Sequence, residues 1–180
     1  MDLLRFVLVQ SGSISANMAH SLFQSEWVGD NRKVKHMTKN SPQTTVNSIM
    51  VRPDGPLIAK GNIEVQDADG QLMARGEDIA LCRCGASKNK PFCDGSHKES
   101  GFQDNAQFTD ERAEDIQSDG PLVIQCRENS MLLAKGPMQI VSRDGKSSTT
   151  RNKAALCRCG HSANKPFCDA THKQFGFKSE

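Results

Sequence analysis

Six of the seven cysteines in this 180-residue chain fall in two short segments of the same pattern, C-x-C-x8-C-x3-H. Cysteine thiolates and histidine imidazoles are common protein ligands for zinc, iron and other transition metals. The candidate ligands are Cys82, Cys84, Cys93 and His97 in the first segment and Cys157, Cys159, Cys168 and His172 in the second. The chemistry to consider is therefore that of two metal centres, each with three sulfur ligands and one nitrogen ligand.

Disulfide bonds and structural zinc are two ways in which these cysteines could be used. Disulfides are disfavoured because the cysteine count is odd, the chain shows no convincing secretory signal, and a disulfide within C-x-C is strained. Zinc accepts three cysteines and one histidine, although zinc fingers commonly use the wider C-x2-4-C spacing. A zinc-stabilised protein-interaction module is therefore an alternative interpretation.

A [2Fe-2S] cluster is the third possibility, because it needs two protein ligands on each of its two iron atoms. Residues i and i+2 of an extended segment point to the same side, so Cys82 and Cys84 could share one iron. Residues i and i+4 of a helical turn share a face, so Cys93 and His97 could hold the other. We therefore expect a short helix to carry the histidine of each segment.

The two cysteine segments belong to a longer repeat, in which one constant shift of the chain places Cys82 on Cys157. Ser48–Phe102 aligns with Val123–Phe177 without a gap, and nearly half of the aligned positions are identical. A fixed period of this kind indicates duplicated structural units. The seventh cysteine, Cys126, aligns with Val51 in a predicted strand, so we interpret it as a small buried apolar residue.

Short strands and tight turns are predicted ahead of the cysteines in each repeat, so we expect a mainly β fold. Gly85 and Gly160 follow C-x-C and permit a sharp reversal of the chain. Arg83 and Arg158 stand between the paired cysteines, and we expect them either in solvent or where their charge favours a reduced centre. The predicted organisation is a weakly structured N-terminal arm at 1–46, a first repeat at 47–102, an acidic linker at 103–122 and a second repeat at 123–180.

The first segment, C-x-C-x2-S-x3-P-x-C-D-G-S-H at positions 82–97, resembles the CDGSH iron-sulfur domain family. The second segment departs from this pattern at Ala170 and Thr171, neither of which is a candidate ligand. A chain with two such motifs is similar to the tandem, two-motif branch of the family. That resemblance implies an intrachain pseudo-dimer of two tandem repeats, each with short strands, a cysteine-rich cluster loop and one short helix.

The same resemblance implies that each repeat binds one [2Fe-2S] cluster through its three cysteines and one histidine. The implied function is one-electron transfer or cluster delivery, with proton-coupled redox sensing as a related role, and not enzymatic catalysis. The implied partner is a protein electron donor or cluster acceptor, and the chain is expected to be a monomer with an internal pseudo-twofold axis. A redox enzyme that reduces a small molecule directly is a further alternative.

Composition and charge make other classes of function less favourable. The formal net charge is only +2, so no strong overall field favours nucleic acid. The N-terminal apolar run is short and interrupted by Arg5, so we expect neither a membrane span nor a secretory signal. We expect a cytoplasmic location, with the mitochondrial matrix or another reducing compartment as the alternative. With 8 Phe, 1 Trp and no Tyr, the core is poor in aromatic residues, so bound metal would help to hold the fold.

Overall fold

The computed structural model describes residues 46–116 and 119–179, and the fold of these residues is mainly β, as predicted. The predicted N-terminal arm, residues 1–46, lies outside the described residues except for its last residue. The six strands are β1 (Ser48–Val51), β2 (Leu57–Gln66), β3 (Leu72–Leu81), β4 (Leu122–Cys126), β5 (Leu132–Ser142) and β6 (Ser148–Leu156).

The strands show the alternating burial that is expected when successive side chains point to opposite faces of a sheet. In β4, for example, Leu122, Ile124 and Cys126 are buried and the two residues between them are partly exposed. The pairing of β2 and of β5 with their outer neighbours is interrupted near the middle by a bulge. A glycine with a left-handed φ lies at each bulge, Gly61 at 116° and Gly136 at 120°, where a side chain would be strained.

The two repeats share one sheet, because β1 and β4 each pair with one strand of their own repeat and one strand of the other. β1 pairs antiparallel with β2 of its own repeat and parallel with β5 of the other. β4 correspondingly pairs antiparallel with β5 and parallel with β2. The pairs Ser48↔Gln139 and Val123↔Glu64 occupy equivalent positions of the repeat, so the two parallel pairings between the repeats have the same register. β3 and β6 flank this arrangement by pairing with β2 and β5.

The hydrophobic core is formed mainly by inward-facing residues of these strands from both repeats. Its largest fully buried apolar side chains are Ile49, Val51, Leu57, Ile63, Leu81, Leu122, Ile124, Leu132, Met138, Ile140 and Leu156. Cys126 belongs to the same cluster and is 6% exposed, which agrees with its interpretation as a buried apolar residue. The core thus extends along β3 and β6 to the residues that immediately precede the two C-x-C segments.

The predicted short helix in each repeat is not confirmed. The described residues contain no α-helix, and each candidate histidine lies on a single turn of 3-10 helix, Ser96–Lys98 or Thr171–Lys173. The residue before each turn has a left-handed φ, 91° at Gly95 and 69° at Ala170, and a glycine with positive φ follows soon after each turn. Such residues interrupt helical geometry on both sides, which leaves room for one turn only. No helix in the described ranges is long and apolar enough to cross a lipid bilayer.

The predicted acidic linker packs against the second repeat. The backbone N–H of Glu114 donates a hydrogen bond of 2.8 Å to the carbonyl oxygen of Thr150 in β6. Asp110 accepts two hydrogen bonds, of 2.7 and 2.6 Å, from the guanidinium of Arg151. The side chains of Arg151 and Asp110 are only 7% and 3% exposed, so this ion pair is nearly buried. These polar contacts therefore hold the linker against β6.

Candidate metal centres

The C-x-C segment of each repeat begins where an outer strand ends, and the chain then folds back onto that strand. The N–H of Cys82 donates to the carbonyl of Pro91 at 2.8 Å, and the N–H of Cys93 donates to the carbonyl of Ala80 at 3.0 Å. The second repeat has the same two bonds, at 2.8 and 2.9 Å. These backbone bonds bring the third cysteine of each segment back beside the first.

Polar side chains within the loop hold its shape. The hydroxyl of Ser87 donates to the carbonyl of Phe92 at 2.7 Å. The carboxylate of Asp94 accepts hydrogen bonds from the N–H of Lys88 and from the N–H and hydroxyl of Ser96. These bonds, that from the Ser96 hydroxyl foremost, hold the pKa of Asp94 well below its ordinary value, so the carboxylate stays ionised. Ser162 and Asp169 make the corresponding contacts in the second repeat.

The eight candidate ligands come together as four close pairs. In the first repeat the sulfurs of Cys82 and Cys84 are 3.7 Å apart, and the sulfur of Cys93 is 3.5 Å from Nδ1 of His97. The corresponding distances in the second repeat are 3.6 and 3.4 Å. Two ligands on one tetrahedral metal with bonds of about 2.3 Å lie about 3.8 Å apart, so each pair has the spacing for one metal ion.

The four candidate ligands of each repeat thus form two separate pairs. Within residues 46–116 and 119–179, no three Cys, His, Asp or Glu side chains converge closely enough to hold a single metal ion. A mononuclear zinc site would require all four ligands of a segment around one point, whereas a dinuclear cluster requires two ligands at each end. The donor set and its grouping fit a [2Fe-2S] cluster in each repeat.

The C-x-C pairs are also prepared electrostatically for binding a cation. The sulfurs of Cys82 and Cys84 share a hydrogen bond, which raises the pKa of Cys82 and lowers that of Cys84. Cys157 and Cys159 show the same division, with burial adding to the rise in pKa at the first cysteine. A backbone N–H, that of Ala86, also reaches the Cys84 sulfur at 3.5 Å. One sulfur of each pair is therefore readily available as the thiolate that metals bind.

A comparison with protein families shows what this pair of loops is. The model of the iron-binding zinc finger of CDGSH type matches residues 54–98 and again residues 119–173, which together make up more than half of the chain. This chain belongs to the CDGSH iron-binding family. No individual curated protein matched the chain. Membership implies iron-sulfur binding, and the two matched regions confirm the predicted tandem arrangement of CDGSH domains.

The histidines of the two CDGSH domains have different surroundings, although their Nδ1 atoms are placed alike. His172 is only 5% exposed, and its Nε2 shares a hydrogen bond of 3.0 Å with the hydroxyl of Ser130. Burial, followed by the positive charge of Lys173, lowers the pKa of His172 from its ordinary value. His97 is partly exposed, and the residue equivalent to Ser130 in its domain is Gly55, which has no hydroxyl group.

The arginines between the paired cysteines are buried, whereas the sequence left open whether they would lie in solvent or beside the metal centre. Arg83 is fully buried and donates hydrogen bonds to the carbonyls of Arg52 and Gly55 and to the carboxylate of Asp104. Its guanidinium also lies 5.0 Å from the ring centre of Phe102. Arg83 therefore ties the C-x-C segment to the β1–β2 turn and to the start of the linker.

Arg158 makes the equivalent contacts in the second domain, with one difference. It donates to the carbonyls of Arg127 and Ser130 and lies over the ring of Phe177. In the described part of the chain it forms no ion pair with a carboxylate, because the position of Asp104 is taken by Ser179. Sequence reasoning missed Ser130, whose sole signal was its replacement of Gly55 in the repeat alignment, and it assigned Asp104 and Asp110 only to the acidic linker.

Proposed function

We propose that each CDGSH domain of this chain holds one [2Fe-2S] cluster through three cysteines and one histidine. The observation that carries the proposal is the grouping of the ligands into a sulfur–sulfur pair and a sulfur–nitrogen pair, at distances between 3.4 and 3.7 Å. The proposed ligands are Cys82, Cys84, Cys93 and His97 for the first cluster and Cys157, Cys159, Cys168 and His172 for the second.

In this function the protein's residues would bind the cluster, orient its histidine ligand and exclude water from the site. A [2Fe-2S] cluster supplies reversible one-electron chemistry when it is bound. With Nδ1 as the metal ligand, Nε2 of His172 would carry the ring proton and donate a hydrogen bond to the Ser130 hydroxyl, which would fix the orientation of the ring. Cys82 and Cys157 are only 2% and 1% exposed, so water is excluded from one end of each site. One neutral nitrogen ligand in place of a thiolate makes each site less negative, which favours the reduced state.

The proposed biological role is one-electron transfer to or from a protein partner, or delivery of a cluster to an acceptor protein. Proton-coupled redox sensing is a related role that the histidine ligands would permit. We propose a carrier and not an enzyme, acting as a monomer in a reducing compartment such as the cytoplasm, where free cysteines persist.

Metal and sulfide analysis of anaerobically purified protein tests the cluster assignment. We expect a red-brown protein with about four iron atoms and about four acid-labile sulfides per chain, as two clusters require. Cys82→Ser and Cys157→Ser should each remove about half of both, because each variant disables a different domain. Colourless protein that contains zinc and no sulfide would instead establish the zinc-stabilised interaction module.

A second experiment separates electron transfer from cluster delivery. Reduction with dithionite followed by reoxidation in air should restore the visible spectrum if the clusters serve as electron carriers. Incubation with an apo-ferredoxin should move iron and sulfide to that acceptor if delivery is the role. Retention of all iron by this chain under both oxidised and reduced conditions would rule out cluster delivery to that acceptor.

A further inference from the structure

An open cavity of about 650 Å³ lies where the cysteine loops of the two domains meet. Cys84 and Cys159 pair there as an isolated antiparallel bridge, and both line the cavity. The contact is close, because a Cβ added at Gly85 would lie 2.6 Å from the carbonyl oxygen of Cys159. The remaining walls come from Ala86, Lys90 and His161 of the loops and from the segments 100–103 and 175–178, which follow the two histidine turns.

The cavity is built from equivalent positions of the two domains, but its two sides differ in chemistry. Nearly all lining residues form pairs that align in the repeat, and the two cysteines, four glycines and Phe102 with Phe177 are identical within their pairs. Three lining pairs differ, namely Ala86 with His161, Ser100 with Phe175, and Gln103 with Lys178. At each of these pairs the first domain has a small or neutral side chain, and the second has an aromatic or cationic one.

The aromatic side chains on the second side form a flat platform. The rings of His161 and Phe175 are stacked, with their centroids 4.0 Å apart and their planes within 3° of parallel. Phe175 is 60% exposed, which makes it one of the few large exposed apolar residues of the described chain. Lys178 lies three residues further on, at the rim of the same cavity. Two stacked rings beside a cation can bind the face of a further ring and an acidic group attached to it.

We propose that this cavity binds a planar aromatic anion, meaning a fused ring system that carries a carboxylate or a phosphate. The ring stacks on the His161–Phe175 platform, and the acidic group pairs with Lys178. The small side chains of Ala86 and Ser100 leave space on the opposite wall for the ring. A volume of about 650 Å³ is within the range of roughly 300–1,000 Å³ that is typical of small-molecule sites. This inference goes beyond the proposed function, since it does not depend on which metal Cys84 and Cys159 hold.

Calorimetric titration of the full-length, metal-loaded protein tests the proposal with three probes of similar ring size. We expect 1-naphthoate and 1-naphthyl phosphate to bind with a stoichiometry of one per chain. The neutral 1-naphthalenemethanol should bind at least tenfold more weakly, because it cannot pair with Lys178. The stronger of the two anions identifies whether the natural acidic group is a carboxylate or a phosphate. Absence of binding by both anions, or equal binding of all three probes, overturns the proposal.

Variants that give the second side the residues of the first side make the test specific. Phe175→Ser and His161→Ala should each weaken binding of all three probes about tenfold, since stacking is lost. Lys178→Gln should weaken the two anions about tenfold and leave the alcohol unchanged, and Lys90→Gln, at the other lysine that lines the cavity, should weaken the anions less. Lys178→Arg should retain anion binding, which separates the loss of charge from damage to the fold.

Lys146→Gln provides the matched control for the loss of a charge. Lys146 is also an exposed lysine, and its side chain lies near Asp144, away from the residues that line the cavity. We expect this variant to bind the anions as the parent does. If Lys146→Gln and Lys178→Gln weaken the anions equally, the effect is one of net charge and the proposed site is wrong.

Discussion

The two CDGSH domains of this chain have nearly identical ligand loops, but they surround those loops differently. The sulfur–sulfur distances are 3.7 and 3.6 Å in the two domains, and the sulfur–nitrogen distances are 3.5 and 3.4 Å. His172 is buried and hydrogen-bonded to Ser130, whereas His97 is partly exposed and the position equivalent to Ser130 in its domain is Gly55. The ligand geometry is thus the same in the two domains, while the surroundings of the two histidines differ.

The charged residues that surround the ligand loops also differ between the two domains. Arg83 is paired with Asp104, but the equivalent Arg158 has two carbonyl partners and no carboxylate among the described residues. The linker covers β6 through Asp110, whereas most residues of β3 are exposed or half-buried. The candidate ligands are therefore identical in the two domains, whereas the charged residues around them differ between the two copies of the same fold.

The largest expected effect comes from breaking the attachment of the linker to β6. Asp110→Asn removes the charge from a nearly buried bidentate ion pair with Arg151 and leaves that cation only the more distant and exposed carboxylate of Glu114, at 3.8 Å. We expect a loss of about 3–4 kcal/mol of stability, or roughly 6–16 °C in the apparent melting temperature at pH 7. Glu111→Gln, which alters an exposed carboxylate of the same linker, should change the melting temperature little.

The effect of Asp110→Asn should depend on pH. Burial opposes the charge of Asp110, but hydrogen bonds from Arg151, from the N–H of Arg112 and from Thr149 outweigh it, so the pKa of Asp110 is lowered. A carboxylate with a lowered pKa stabilises the fold above its unfolded pKa of about 3.9, and this contribution is lost as the pH falls through the folded value. The difference between parent and variant should therefore shrink below about pH 4 in urea titrations. A difference that stays constant from neutral pH down to about pH 3 would contradict this assignment.

The next largest effect concerns the arginines between the cysteines. Asp104→Ser gives the first domain the residue of the second and leaves the fully buried Arg83 with carbonyl partners only. We expect a loss of about 2–3 kcal/mol, measured as a fall in melting temperature at a fixed scan rate. The reciprocal change, Ser179→Asp, should raise the melting temperature by offering Arg158 a carboxylate. If both substitutions are neutral, the two domains do not differ in the way that their ion pairs suggest.

The grouping of the candidate ligands into close pairs could be predicted from the sequence because it depends on local geometry. Cys82 with Cys84 and Cys93 with His97 are close neighbours in the chain, at i, i+2 and i, i+4, and such spacings have few structural outcomes. The gapless alignment of the chain with itself likewise indicated two equivalent β units. These features belong to short segments or to the repeat, and both can be read without knowledge of tertiary contacts.

The contacts that distinguish the two domains could not be predicted, because they join residues far apart in the chain. Ser130 and His172 are 42 residues apart, and Asp110 and Arg151 are 41 residues apart, with no local pattern linking either pair. The expected helices were not found because Ala170 adopts a left-handed conformation that its residue type does not predict.

A smaller effect is expected at the hydroxyl that faces His172. Ser130→Ala removes the hydrogen-bond partner of Nε2 and should allow the imidazole ring to reorient more freely. In a Cys82→Ser background, where only the second centre is intact, iron should be lost to a chelator on the order of tenfold faster. Ser130→Thr keeps the hydroxyl and should release iron at the parent rate. In a Cys157→Ser background, Ser130→Ala should leave the rate of the first centre unchanged.

The smallest effect concerns the residue before each histidine turn. Ala170 has a φ of 69°, in the left-handed region that disfavours residues with a Cβ, whereas Gly95 occupies the equivalent position at no steric cost. Ala170→Gly should therefore raise the stability by about 1 kcal/mol, or roughly 2–4 °C in melting temperature. Gly95→Ala should lower it by a similar amount through φ alone, because a Cβ at Gly95 would meet no atom within 4 Å. A fall in melting temperature for Ala170→Gly would mean that the methyl group of Ala170 makes a contact worth more than the strain it imposes.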